Sequence, residues 1–153
     1  MAAEVHKALT AGELPIILGG DHSIAIGSIS GVASFCRERA ETIGLIWFDA
    51  HADMNTPETT PSGNIHGMPL STLLGYGAPA LKDIAGFSPK LDPKLCAHVG
   101  ARDIDRGERE LIRKLGIETK RISIFHISSL FLISKSNVCD GETSERGGRG
   151  GKG

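Results

Sequence analysis

Ile43-Gly44-Leu45-Ile46-Trp47-Phe48-Asp49-Ala50-His51-Ala52-Asp53 joins two signals in eleven residues. The first six are an apolar run of the kind that forms a buried strand of a parallel sheet. The last five place three potential metal ligands, Asp49, His51 and Asp53, at alternating positions. They would lie at the carboxyl end of the strand, where open α/β sheets bind their ligands. Alternation along an extended segment is expected to aim all three to the same side.

The residues on either side extend the pattern. Upstream, Leu14-Pro15-Ile16-Ile17-Leu18 reads as a second short buried strand, and Gly19-Gly20-Asp21-His22-Ser23 follows it as a tight turn. Ser23 or Asp21 can cap the next helix, expected over residues 24–39. In that helix Ala25, Ile29, Val32 and Cys36 share a stripe, and Gly27 and Gly31 would let it pack closely on the sheet. Residues 2–11 read as a helix that stops at Gly12. Downstream, residues 54–67 are rich in Asn, Thr, Pro, Ser and Gly, a functional-length loop at the ligand-binding end. Residues 69–74 make a short helix, residues 75–94 are irregular, and residues 95–100 give a third strand. Asp105 with Glu108 three positions on resembles a capping box, opening a helix that ends at Gly116. Residues 121–127 read as a fourth strand. Strands alternating with helices predict an α/β class with about four strands in a parallel sheet.

Composition narrows the partners. A chain of 153 residues is long enough for one modest core, and its formal net charge of −1 gives no electrostatic case for nucleic acid or membrane. Cys36, Cys96 and Cys139 are an odd number and widely spaced, which argues against a disulfide framework and makes the cytosol the expected compartment. No apolar run reaches membrane-spanning length.

His22 after one strand and Asp49, His51 and Asp53 after another make a mixed imidazole and carboxylate set, suited to manganese, iron or zinc. A carboxylate such as Asp49 can bridge two cations, and paired cations activate water for hydrolysis. His66, in Ser62-Gly63-Asn64-Ile65-His66-Gly67, is a loop histidine and a candidate proton shuttle beside a metal-bound hydroxide. Asn55, Thr60, Ser62 and Asn64 form an uncharged polar lining for a substrate carboxylate. Asp103 and Asp105 could hold a substrate ammonium group, or cap the helix that follows.

Gly-Gly-Asp-His-Ser at 19–23, Asp-Ala-His-Ala-Asp at 49–53, Ser-Gly-Asn-Ile-His-Gly at 62–67 and Gly-Ala-Arg-Asp-Ile-Asp-Arg-Gly-Glu at 100–108 resemble, in order, the signatures of the arginase branch of the ureohydrolases. The resemblance covers roughly residues 1–119. It implies a three-layer αβα fold around a parallel sheet, incomplete here. It also implies hydrolysis of L-arginine to L-ornithine and urea by a hydroxide bridging two Mn²⁺ ions. By position, His22, Asp49 and Asp53 would serve one Mn²⁺, and His51 with a bridging Asp49 the other. His66 would move a proton. Asn55, Ser62 and Asn64 would face the α-carboxylate, and Asp105 the α-amino group. The family commonly assembles as homo-oligomers.

The chain departs from that family near Lys120. The family's later Asp-x-Asp pair is absent, since the acidic residues after Glu118 are Asp140, Glu142 and Glu145 only. Truncation, altered splicing or a shifted reading frame would each produce this. Residues 1–133 are therefore expected to form a partial domain, with residues 134–153 a Gly-rich disordered tail. Two alternatives stay open: an inactive ureohydrolase fragment, or a relative acting on another guanidino compound. Arg146-Gly147-Gly148-Arg149 resembles a minimal RGG segment, but it lacks interleaved aromatics and no nucleic-acid partner is expected.

Overall fold

The computed structural model describes residues 1–120 and, for the backbone alone, residues 130–136. The expected strand at 121–127 lies outside the described residues, as does all of the Gly-rich tail beyond 136.

The sheet has four strands in the order β3-β2-β1-β4: β1 Thr42–Phe48, β2 Cys96–Val99, β3 Glu118–Lys120 and β4 Leu130–Ser136. β1, β2 and β3 are parallel, as the alternation of strands and helices requires. β4 departs from the expected all-parallel sheet. It runs antiparallel along the whole of β1, from Leu130 opposite Phe48 to Ser136 opposite Thr42, and crosses the expected boundary between domain and tail. β1 alternates inward, with Ile43, Leu45 and Trp47 all buried and Trp47 fully so.

Five helices accompany the sheet among the described residues: α1 Ala2–Thr10, α2 Ile24–Glu38, α3 Pro69–Leu73, α4 Pro79–Lys82 and α5 Arg106–Leu115. α2 packs on β1 through the stripe of Ala25, Ile29, Val32 and Cys36. Gly27 and Gly31 do not face the sheet, as the sequence reading had them. They face α1: a Cβ on Gly31 would meet the Ala2 backbone and Val5, and one on Gly27 would meet Met1. The glycines thus set the close approach of two helices. Leu111, Ile112 and Leu115 bring α5 against the core, and Gly116 ends the helix at φ 68°. No helix of the described residues is long and apolar enough to cross a membrane.

The expected strand at 14–18 is not one. The segment makes no backbone hydrogen bond among the described residues, and Leu14, Ile16 and Leu18 are 85%, 78% and 86% exposed. Only Pro15 and Ile17 turn inward. A strand needs a partner edge, and β2 and β4 occupy both edges of β1. Pro15 also removes a donor from the segment.

Candidate metal centre

β1 delivers Asp49 to the top of the sheet, and neighbouring backbone holds it there. Asp49 donates its N–H to Val99 O at 3.1 Å, and its own carbonyl lies 3.0 Å from His98 Nε2. Ala50 O accepts from the N–H groups of Arg102 and Asp103, at 2.8 and 3.0 Å. Gly100 makes this approach possible: at φ 101° it sits where a Cβ would lie 3.1 Å from Asp49 O. The backbone turns at Asp53, which has φ 52° although it carries a side chain. Leu70 and Ser71, at the start of α3, donate to Asp53 O and fix the far end of the turn.

That turn corrects the expected alternation. Asp49 and Asp53 are each only 4% exposed and point together, whereas the His51 side chain is 66% exposed and reaches Asp49 from the solvent side. The third member of the cluster arrives from the 19–23 turn. His22 Nδ1 lies 2.9 Å from Asp49 Oδ2 and 2.6 Å from Asp53 Oδ2, and one ligand atom from each of the three residues falls within 4.8 Å of the others. The His22 ring is stacked on Trp47, centroids 4.2 Å apart, so the core of β1 orients the ligand. His51 Nδ1 sits 3.3 Å from the other oxygen, Asp49 Oδ1. The Asp49 carboxylate therefore presents one oxygen to each of two histidines.

Burial disfavours a charge on His22, but the carboxylates of Asp49 and Asp53 outweigh it and push its pKa up to about 9. The imidazolium offsets one of the two buried negative charges and leaves the other, the place a divalent cation would take by displacing a proton. One nitrogen and two carboxylates, buried and converging, fit a borderline or hard divalent ion such as Mn²⁺ and do not select a thiophilic one.

The other expected site residues lie along the following loop. Asn55 is buried, donating from Nδ2 to Asp105 Oδ2 at 2.8 Å and accepting from Thr59 Oγ1 at 3.0 Å. Asp105 thus faces Asn55, and Asp103 is bridged to His51 through the backbone. Thr60 and Ser62 accept from the N–H groups of Gly63 and Asn64, at 3.0 and 3.2 Å, which shapes the exposed loop tip. His66 lies in a single 3₁₀ turn, Ile65–Gly67, and is exposed. The Asp21 carboxyl is held below its usual range, mainly by Ser23 and to a lesser degree by His66 and His22.

Two residues of the site carried too little signal to be singled out for it. His98, buried on β2, contacts the Asp49 carbonyl and is pushed down by burial. A lone histidine in Cys-Ala-His-Val looks like any buried polar residue. Glu108 was legible only as a helix cap. It accepts from Asp105 N at 2.8 Å, but its other oxygen accepts from Met54 N at 2.9 Å, tying the residue after Asp53 to the start of α5. Burial raises its carboxyl, and those two N–H groups oppose the rise.

Comparison with known proteins places this arrangement. The model of the arginase family matches residues 1–130. An arginase of Bacillus caldovelox is 52% identical over 118 residues, which are 77% of this chain and 38% of that protein. The solved structure of the Bacillus caldovelox arginase at pH 5.6 superposes with a TM-score of 0.73 at 50% identity, over 78% of this chain and 39% of that one. An Entamoeba histolytica arginase solved in complex with L-ornithine gives 0.67 at 42% identity, over 77% of this chain and 40% of that one. The chain spans about two fifths of the length of the relatives it matches.

Proposed function

Because the chain belongs to the arginase family, we propose that it carries the metal-binding portion of an arginase-type site that hydrolyses L-arginine to L-ornithine and urea. The observation that carries this reading is the Asp49 carboxylate, with Oδ2 on His22 and Oδ1 on His51. With that carboxylate, His22 and Asp53 would hold one cation and His51 would help to hold a second. Two Mn²⁺ ions held there would activate water and polarise the guanidinium carbon's substituents.

The chain's own residues set the rest. His22 carries its proton up to about pH 9, so metal uptake releases it. Asn55, Thr60, Ser62 and Asn64 face an α-carboxylate, and Asp103 and Asp105 an α-ammonium. The Asn55–Asp105 hydrogen bond favours this division, since it sets a carboxylate reader beside an ammonium reader. His66, on its exposed turn, exchanges protons with solvent. The L-ornithine bound by the Entamoeba relative supports an amino-acid substrate over agmatine, which has no α-carboxylate. Cytoplasmic residence and association with copies of itself accompany the proposal.

The 153 residues hold no Asp-x-Asp pair after Glu118 to complete the second metal's shell. The chain by itself is expected to bind Mn²⁺ and to release urea far more slowly than a full-length relative. Urea release from arginine, agmatine and guanidinobutyrate, with added Mn²⁺, tests this. A preference for agmatine would overturn the substrate assignment, and no Mn²⁺ uptake would overturn the site.

A further inference from the structure

At the other end of β1, about 20 Å from the metal centre at ~3.3 Å per strand residue, the structure holds a cavity of about 350 Å³. Ala33, Ile43, Phe87 and Pro89 supply apolar walls, and Arg37 and Lys90 supply cations. The Phe87 ring is approached by both, Arg37 Cζ at 4.5 Å from its centroid and Lys90 Nζ at 4.4 Å. Neither cation has a carboxylate within salt-bridge distance among the described residues.

Their settings differ. Lys90 is only 6% exposed, and its ammonium donates to two main-chain carbonyls, Lys82 O at 2.7 Å and Phe87 O. An ammonium has three donors, so one remains. Burial pulls its pKa down, helped by the nearby charges of Lys82 and Arg37, and the Asp83 carboxylate offsets only part of this. Arg37, in the last turn of α2, is exposed at the mouth and keeps its planar fork available. Of the two acids in the wall, Asp92 already accepts from Lys94 N at 2.9 Å. Glu41 is the other.

We propose that this cavity is a binding site for a small monocarboxylate with a short apolar body. Arg37 grips the carboxylate through paired N–H donors, Lys90 adds its remaining N–H and its charge, and the aliphatic part lies on Phe87 and Ile43. The site is separate from the metal centre and independent of the proposed hydrolysis.

Titration of butyrate into the full chain at low salt, followed by calorimetry and amide chemical shifts, tests the assignment. One-to-one saturation with a Kd of roughly 1–10 mM is expected, with shifts at residues 37, 41–43 and 87–92. Arg37→Ala should weaken binding at least about fivefold, and butylammonium should not bind. Lys90→Met should weaken it too, but Lys90 braces two carbonyls and its loss can unfold the loop, so the exposed Arg37 decides. No saturation by about 50 mM butyrate, an Arg37→Ala chain that binds as well as the parent, equal binding of butylammonium, or shifts confined to residues 49–66 would each overturn it.

Discussion

Residues 14–22 and residues 43–53 share one plan: an apolar run, then small residues, then metal-ligand types. They end at the same centre, yet they are held differently. The second is a strand paired on both edges, and its ligand turn is fastened by Val99, His98, Arg102, Asp103, Leu70 and Ser71. The first lies unpaired among the described residues, with Leu14, Ile16 and Leu18 turned to solvent, and its ligand His22 is fixed by Trp47 and by the two carboxylates it serves. The difference teaches that an apolar run supplies a strand's faces but not its edges. One half of the centre is preorganised by backbone, the other by side chains.

The largest expected effect separates the two halves directly. Asp49→Ala should weaken Mn²⁺ binding by at least about 100-fold, and His22→Ala by roughly 10- to 100-fold, measured by titration against a competing chelator. The ordering follows because Asp49 faces both histidines, whereas His22 serves one position. A greater loss at His22 would break the comparison.

Next comes the link between the halves. Trp47→Ala removes a fully buried ring from β1 and the platform under His22. It should cost about 3–5 kcal/mol in denaturant unfolding. A loss under ~1 kcal/mol would mean that Trp47 is not packed as described.

The smallest effect sharpens the contrast. Ile16→Lys, on the exposed side of the unpaired segment, should change stability by no more than about 0.5 kcal/mol. Amides of residues 14–18 should exchange with deuterium orders of magnitude faster than those of residues 43–47. Slow exchange at 14–18 would show that the segment is paired in solution.

Much of the centre was legible because its chemistry is local. Four short motifs carried His22, Asp49, Asp53 and the polar loop, and the capping box of α5 was visible in Asp105 and Glu108. Contacts across long sequence separations were not. Glu108 braces Met54 across 54 residues, and His98 meets Asp49 across 49. Gly27 and Gly31 gave a correct signal of close packing and a wrong partner, since a glycine shows that something approaches but not what.

The sequence by itself determined the family, the strands β1 and β2 of the parallel α/β core, and which residue types could meet a metal. Those follow from periodicity, turn chemistry and ligand chemistry, all written within a few residues of one another. Tertiary structure alone decided which ligands converge. Asp49 and Asp53 converge on His22, and His51 reaches Asp49 alone of the two from the exposed side. Tertiary structure alone decided, too, that β4 takes the free edge of β1 while residues 14–18 remain unpaired among the described residues. Edge pairing depends on which distant segment arrives, and no local pattern encodes that.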